Sequence, residues 1–284
     1  MRPLLLLLIT LVCITNAASA QSLEGRLKQI GEIKVIKLAY RSDANPFSFA
    51  NSQGQPDGYT IDLCKFVVRS LEQQLNVKLA IEWVPVDTQT RFSAIIDGRA
   101  DLECGASTVS LGRMAIVDFS SFIFIENTGL IVRANSHIFS VRDMEGKKIA
   151  VIADTTNEIA LVKELQRRQQ QTALIRVKDR KEGMAALESG AVDSFASDKL
   201  LLIGAVNAGA APMYKMLPEN LSTEPYAIAL PRGDWAFRLA VNRGLSHLYS
   251  SGQILDLYVK WFSAIGERPD LLRAAVYVFG TLPE

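Results

Sequence analysis

The sequence predicts an α/β fold with a mainly parallel β-sheet. From residue 34 onward, short β-rich segments alternate with amphipathic helical segments, the pattern of parallel strands joined by helices. The alternation restarts after an apolar segment at 128–133, so the chain contains two such runs. Arginines and threonines follow several of the predicted strand ends, which is where open parallel sheets bind ligands. We therefore expect a binding site at the carboxyl ends of the strands.

The first run begins with a short β-rich segment and continues through an apolar stretch of helical spacing, for which Thr60 is a candidate N-cap. Helix and strand then alternate up to a small-residue loop after residue 104. The predicted elements are a strand at 35–40, a helix at 60–75, a strand at 79–84, a helix at 88–96 and a strand at 100–104.

The second run starts at the connecting strand and repeats the same order. Capping residues at 154–158 open its first helix, and a β-rich segment at 226–230 could return beside the connector. The predicted elements are strands at 128–133, 148–153, 174–177, 192–196 and 226–230, and helices at 157–170, 182–189, 235–249 and 253–262.

The N-terminal segment at 1–20 has the pattern of a secretory signal peptide. A charge at Arg2 precedes an apolar stretch, and small residues from Ala18 to Ala20 form a cleavage motif. Its removal leaves equal numbers of acidic and basic residues, so nucleic acid and anionic membrane surfaces are not expected partners. The remaining chain, 49% hydrophobic over the full 284 residues, is long enough to bury a sizeable core. We expect an exported, periplasmic protein.

Two cysteines, Cys64 and Cys104, remain after this segment. An even pair permits one disulfide in an oxidising compartment, and two buried thiols fit nearly as well. Because both lie in the first run of an exported chain, we predict that they are within bridging distance. Two cysteines alone cannot form a structural zinc site, and His137 and His247 are far apart in sequence. No metal or cofactor is expected.

The segment from Asp101 to Ser120 carries the strongest signal of a ligand site. A strand end leads into small and hydroxylated residues, and Arg113 follows Thr108 by five positions. Free backbone N–H groups, a hydroxyl and a guanidinium that converge can bind a carboxylate. The alternative is an ordinary loop with a surface arginine.

This segment resembles the extracellular solute-binding proteins of the polar amino-acid ABC importers. The resemblance includes Glu103-Cys104-Gly105 before the loop and the Val-Asp-Phe-Ser run at 117–120, and it is strongest to members that bind glutamate and aspartate. It implies that Thr108 and Arg113 hold the α-carboxylate of an amino acid. It also implies the two-lobe periplasmic-binding-protein fold of type II, with the ligand in the hinge cleft.

The same resemblance divides the mature chain into two lobes. Lobe 1 is expected to comprise residues 21–127 and 226–284, and lobe 2 residues 128–225. The hinge strands are expected near 128–133 and 226–230.

Three further residues of lobe 1 resemble positions that contact an acidic side chain in such members. Arg41 precedes a Pro-Phe-Ser motif, and Thr88 and Arg91 belong to a Thr-Gln-Thr-Arg motif. An arginine stays charged and offers a planar fork that matches a carboxylate. Each arginine taken alone could equally lie on the surface.

In lobe 2, Thr155 and Thr156 resemble threonines that complete the carboxylate contact, although Asp154 stands where the family usually has glycine. The same residues would also serve as a plain helix N-cap. Asp198 resembles the acid that pairs with the ligand's ammonium group.

Two positions depart from the family pattern. Ala106 stands where a serine commonly assists the ammonium contact, so only a backbone carbonyl can serve there. Arg180 stands where acidic-ligand members often have histidine. An arginine at this position favours an anionic ligand and could admit a different diacid.

These residues imply a monomeric substrate-binding component of an ABC importer, which closes on L-glutamate or L-aspartate and delivers it to permease subunits in the inner membrane. No catalytic residue is assigned, since the sequence has no nucleophile elbow, P-loop or HExxH motif. The alternatives are an enzyme of the same fold, such as a cyclohexadienyl or arogenate-type dehydratase, and a solute sensor module.

Overall fold

The computed structural model describes residues 24–206 and 208–283. The predicted signal peptide at 1–20 lies outside these residues. In this described part, no helix combines the length and apolar character needed to cross a bilayer.

The strands fall into one large sheet and one small sheet. They are β1 (Val35–Arg41), β2 (Asp43–Ala44), β3 (Ser48–Ala50), β4 (Pro56–Asp57), β5 (Ala80–Val86), β6 (Leu102–Glu103), β7 (Asp118–Arg133), β8 (Lys148–Ile152), β9 (Ala173–Val177), β10 (Ser194–Asp198), β11 (Tyr214–Met216) and β12 (Ser222–Leu230).

The helices follow or precede these strands in nearly regular alternation. They are α1 (Gly25–Ile33), α2 (Tyr59–Leu75), α3 (Arg91–Ile96), α4 (Leu111–Met114), α5 (Thr156–Arg168), α6 (Arg180–Glu188), α7 (Lys199–Ala205), α8 (Trp235–Ser250), α9 (Gln253–Phe262) and α10 (Leu271–Gly280), with 3-10 turns at Val141–Met144, Ala208–Met213 and Ser263–Ile265.

The large sheet consists of two parallel segments joined by two antiparallel strands. Its order is β5-β1-β6-β12-β7-β10-β8-β9, and β11 also pairs with β7. β1 is parallel to β5 and β6, and β8 is parallel to β9 and β10. β7 pairs with β12 up to Thr128 and with β10 from Thr128 onward. The segment 226–230 pairs with 118–124 of β7, so the prediction that it returns beside 128–133 was wrong in register, because that part of β7 pairs with β10 and β11.

The buried apolar residues form separate cores on the two sides of this junction. The largest core contains Leu38, Tyr59, Phe124 and Phe262 from the first parallel segment and the C-terminal helices. Other cores form around Leu161 and Phe195 in the second segment. The protein thus has two α/β lobes, and we propose that the chain crosses between them at 125–128 in β7 and 222–225 in β12.

A disulfide joins helix α2 to the end of strand β6. Cys64 and Cys104 have their Cα atoms 6.2 Å apart, within the range that a disulfide spans. Both residues are fully buried in the first lobe's core. The bond therefore ties the end of β6, where the small-residue loop begins, to the longest helix of that lobe.

The two lobes are in contact across the cleft. Leu200 and Leu201 of α7 pack into the first lobe's core, and the Asn45 side-chain amide donates to the Gly204 carbonyl at 3.0 Å. A Cβ atom at Gly204 would lie 2.0 Å from the Asn45 carbonyl oxygen, so only glycine permits this approach. The structure is therefore a closed arrangement of the lobes.

Three predicted helix starts were wrong, each for a local reason. The helix predicted at 182–189 begins at Arg180, because Asp179 caps it by accepting the Glu182 N–H. The N-cap of α2 is Gly58, not Thr60, because the helical bonding begins with the Asp62 N–H donating to the Gly58 carbonyl at 3.0 Å. A Cβ at residue 58 would lie 2.3 Å from the Phe47 carbonyl oxygen, so this position requires glycine. The predicted helix at 88–96 begins only at Arg91. The Asp87 carboxylate accepts the N–H groups of residues 89 and 90, and this turn keeps 88–90 out of the helix.

Candidate ligand-binding site

A cavity between the lobes brings together all ten residues singled out in the sequence. About 320 Å³ there is not occupied by protein atoms, a volume that includes space open to solvent, and only about 20 Å³ of it can hold the centre of a water-sized sphere. The predicted residues that line it are Arg41, Thr88, Arg91, Ala106, Thr108, Arg113, Thr155, Thr156, Arg180 and Asp198. Sequence reasoning missed three other lining residues, Ile152, Asn157 and Leu201.

Thr108 and Arg113 are held together by the loop that links β6 to α4. Ser110 caps the short helix by accepting the Arg113 N–H, at 3.3 Å. The Arg113 guanidinium then folds back and donates to the Thr108 carbonyl at 2.7 Å. Across the cleft, the Thr156 hydroxyl donates to the Thr108 hydroxyl at 3.4 Å. Hydroxyl groups from both lobes therefore meet beside this guanidinium, an arrangement suited to a carboxylate.

Arg91 is buried at the start of α3 with part of its hydrogen-bonding capacity unused. Its Nη1 donates to the Thr88 carbonyl, whereas its Nε has no hydrogen-bond partner among the described residues. Phe92 packs against the guanidinium of Arg91 at 4.7 Å and against that of Arg113 at 5.2 Å. Burial, with the charges of Arg41 and Arg113, lowers the pKa of Arg91 to about 9, so it remains a cation at neutral pH.

Arg41 has an internal partner that the sequence did not reveal. Asp43 accepts from its Nε at 2.8 Å and from its Nη2 at 2.9 Å. Arg180, the first residue of α6 in the other lobe, donates to the Asp43 carbonyl at 2.8 Å and carboxylate at 3.3 Å. Burial raises the pKa of Asp43, but the charges of Arg41 and Arg180 outweigh it and the net shift is downward. Part of the positive charge expected to face a ligand is therefore neutralised within the protein.

The loop before α5 keeps a glycine-like conformation despite its aspartate. Asp154 has a φ of 60°, in the left-handed region that aspartate tolerates better than most residues. Its N–H donates to the Glu158 carboxylate at 2.9 Å, while Thr155 caps the helix by accepting the Glu158 N–H at 3.2 Å. Reciprocal bonds of this kind fix a helix start and place Thr155 and Thr156 at the cavity.

Asp198 ends strand β10 and is buried at the cavity wall. Asn157 donates to its carboxylate at 2.9 Å, and the same amide nitrogen lies 2.7 Å from the Thr128 hydroxyl on β7. Burial, with the nearby charge of Glu224, raises the pKa of Asp198 to about 6. This carboxylate would be stabilised by a cation in the cavity.

Glu103 lies beneath the cavity, fully buried at the end of β6. Burial raises its pKa, and the charge of Arg91 is the largest opposing influence. A Cβ atom at residue 105 would lie 2.1 Å from the Glu103 carboxylate. Gly105 therefore lets this carboxylate approach the loop and offset part of the positive charge above it.

The cavity lining carries more cationic than anionic side chains. Among the described residues, the cavity lining presents four guanidinium groups and one carboxylate, Asp198, with Asp43 at its edge. Arginine is suited to carboxylate recognition because its fork is planar and permanently charged. The described residues include no cluster of three or more side chains placed to ligate a metal ion.

The chain is similar to known binding proteins over most of its length. Residues 36–264 match the model of the bacterial extracellular solute-binding proteins, family 3. The L-glutamate/L-aspartate-binding protein of Pseudomonas aeruginosa is 32% identical over 249 residues, which are 86% of this chain and 82% of that protein. The glutamate/aspartate import solute-binding protein of Salmonella typhimurium is 29% identical over 83% of this chain and 79% of that protein.

A solved structure of the same architecture supports the fold. The ancestral amino acid-binding protein AncCDT-1, described as a precursor of cyclohexadienyl dehydratase, superimposes with a TM-score of 0.72. It is 26% identical, and the match covers 84% of this chain and all of that chain. The matched family model and these relatives cover both lobes and the cleft between them. The chain belongs to the bacterial extracellular solute-binding proteins, family 3.

Proposed function

We propose that this chain is the extracytoplasmic component of an amino-acid ABC importer and that it binds L-glutamate or L-aspartate between its lobes. The observation that carries the proposal is the pair of guanidinium groups, buried on Arg91 and half-buried on Arg113, on the same cavity as the buried Asp198 carboxylate. Two cationic positions and one anionic position match the two carboxylates and the ammonium group of an acidic amino acid. The names of the Pseudomonas and Salmonella relatives support the same ligand class.

In the proposed binding mode, Arg113 and Thr108 hold the α-carboxylate from one lobe, and Thr155 and Thr156 approach it from the other. The ammonium group lies against Asp198, with a backbone carbonyl near Ala106 as its second acceptor. These contacts are made to the α-carboxylate and the ammonium group, which every L-amino acid carries.

The ligand's side-chain carboxylate is proposed to lie on Arg91, with Thr88 beside it and Arg180 across the cleft. The Nε atoms of both arginines are buried without hydrogen-bond partners among the described residues. An uncharged ligand side chain would leave the buried Arg91 guanidinium without a bonded counter-ion, whereas Arg180 would keep Asp43. Removing one partner of a buried ion pair costs about 3–5 kcal/mol. The electrostatics therefore favour glutamate or aspartate over glutamine.

The strands β7 and β12 are proposed to act as the hinge, so that the lobes open to admit the ligand and close around it. The closed protein would then deliver the ligand to permease subunits from the periplasm, acting as a monomer. Recognition and delivery require no chemical step, so no residue is given a catalytic role.

Isothermal titration calorimetry of the mature protein with the common L-amino acids tests the proposed ligand. We expect L-glutamate or L-aspartate to bind at least tenfold more tightly than glutamine, arginine or histidine. Tighter binding of a neutral or basic amino acid would contradict the proposal. Two further assays test the alternative functions. Product formation from a cyclic amino-acid precursor such as arogenate would favour a dehydratase. Glutamate binding without transport by a permease would favour a solute sensor module.

The pH dependence of binding should report the charge of Asp198. Its raised pKa of about 6 means that the free protein takes up a proton at this carboxyl as the pH falls through 6. Because the ammonium group needs the ionised form, we expect the affinity for L-glutamate to fall below pH 6, by up to about tenfold per pH unit. Calorimetry between pH 5 and 8 checks this, because the side chain of glutamate stays largely ionised over that range.

The variant Asp198→Asn is the control for this pH profile. It should bind glutamate weakly at every pH and show no loss of affinity between pH 8 and 5 beyond that of the free ligand. The free energy of unfolding depends on pH in the opposite direction from the affinity for glutamate. A raised carboxyl pKa means that the folded protein binds the proton more tightly than the unfolded protein does. The contribution of Asp198 to stability therefore falls as the pH rises from about 4 to above 6. The variant should therefore unfold at a higher temperature than the wild type at pH 7. A parallel decline in affinity for both proteins would assign the pH effect to another group.

A further inference from the structure

Asp43 occupies a position between two arginines that belong to different lobes. It binds Arg41 of its own lobe through two parallel hydrogen bonds, at 2.8 and 2.9 Å. It also accepts from Arg180 of the second lobe, through its backbone carbonyl and its carboxylate. Both guanidinium groups are almost fully buried, at 3% and 4% exposure. Asp43 is therefore the counter-ion of two desolvated cations.

The loop that contains Asp43 makes another contact with the second lobe. Two residues after Asp43, the Asn45 side chain donates to the Gly204 carbonyl of α7. The segment 43–45 thus contacts the start of α6 and the end of α7, and Asp43 provides its charged contact. A charge pair that forms only when two surfaces meet stabilises the closed arrangement relative to the open one.

The Asp43 contact also divides the cationic groups of the cavity into two classes. The Nε and Nη2 edge of Arg41, the edge best suited to a carboxylate, is already taken by Asp43. Arg91 keeps a buried Nε without a partner, and so does Arg180. A ligand carboxylate placed on Arg41 would have to displace Asp43, whereas one placed between Arg91 and Arg180 would not.

We propose that Asp43 is a specificity-determining internal counter-ion that links the two lobes and reserves Arg91 and Arg180 for the ligand's side-chain carboxylate. The ligand part of this inference rests on the proposed function, because it assumes an acidic amino acid in the cleft. The lobe-linking part needs no ligand. Asp43 reduces the positive charge at the far end of the cavity and thereby limits how strongly an anion is preferred over a neutral isostere.

The variant Asp43→Asn tests both parts, since it keeps the side-chain shape and removes the charge. Asp97→Asn is the matched control, because Asp97 is an exposed acid of the same lobe that pairs with Arg99 at 3.7 Å. The first measurement is the radius of gyration of each ligand-free protein by small-angle X-ray scattering. We expect Asp43→Asn to be more open than the wild type and the control, and Arg180→Gln to open by a similar amount. Combining the two substitutions should cause no further opening, because they break the same contact.

The second measurement is the ratio of the dissociation constants for L-glutamine and L-glutamate. In Asp43→Asn, glutamine leaves Arg41 and Arg180 without any counter-ion, whereas glutamate can supply one. We expect this ratio to rise at least tenfold over the wild type and to stay unchanged in Asp97→Asn. Because the variant is compared through a ratio of two ligands, a general loss of folded protein cancels out.

An unchanged ratio, or a radius of gyration equal to that of the control, would overturn the proposal. The proposed function fails in a different way, namely if the wild type binds neither glutamate nor aspartate. In that event the scattering comparison still decides whether Asp43 links the lobes, because it is made on the ligand-free proteins.

Discussion

Replacing Arg113 with alanine should weaken the binding of L-glutamate and L-glutamine by similar amounts, about 2–5 kcal/mol for each, on the scale of a truncated buried charge pair. The guanidinium is held at the cavity by its bond to the Thr108 carbonyl and by packing on Phe92. In the proposed binding mode it holds the α-carboxylate, which all amino acids share. Calorimetry with both ligands measures the effect directly.

The control for this substitution is Arg99→Ala, in the same lobe, where the arginine side chain is about half exposed and pairs with Asp97 on the surface. Surface ion pairs of this kind contribute about 0–1 kcal/mol, and we expect no change in binding. Selective loss of glutamate with glutamine retained in Arg113→Ala would contradict the binding mode, since it would place the side-chain carboxylate on Arg113.

Replacing Arg91 should separate the two ligands. Its Nε has no partner among the described residues, and we place the ligand's side-chain carboxylate there. The substitution Arg91→Met keeps an unbranched apolar stem against Phe92 and removes the charge. We expect glutamate to lose about 2–5 kcal/mol, as for other buried charge pairs that lose one partner. Glutamine should bind equally well or better, because a desolvated cation has been removed from its site.

The comparison of the two ligands also separates recognition from structural support. If Arg91 serves only to support the loop at 88–90, both ligands should lose affinity equally and the thermal stability should fall. That outcome would remove the basis for the acidic ligand. The thermal midpoint of Arg91→Met measured without ligand completes the comparison.

Much of the site was predictable because its residues follow strand ends. Arg41 ends β1, Thr88 and Arg91 follow β5, Thr108 and Arg113 follow β6, and Asp198 ends β10. In an open α/β sheet these ends converge on the same edge. Strand-end position by itself nominated Arg41, Thr88, Arg91 and Thr108, and the family resemblance nominated the other six. All ten residues line the cavity. Their individual roles toward a ligand remain predictions.

Elements that depend on tertiary contacts were missed or misplaced. The strand at 128–133 is the second part of β7, whose first part at 118–127 was missed. That segment alternates poorly and becomes a strand because β12 pairs with it. No helix or strand was predicted between 197 and 225, yet α7 forms there. Its Leu200 and Leu201 are buried against the other lobe, an environment that no local pattern reveals.

The sequence by itself determined the α/β class, the order of most strands and helices, and the set of residues at the strand ends, because these follow from hydrophobic periodicity and turn chemistry over short stretches. Only the tertiary structure decided which charges meet. Asp43 looked like an ordinary loop residue, but it neutralises Arg41 and contacts Arg180, which lies 137 positions further along the chain. Glu103 lay within a predicted strand with no sign of a role in the site, but in the structure it is buried and interacts electrostatically with Arg91. Electrostatic partnership depends on distance and desolvation in space, and sequence separation carries neither quantity.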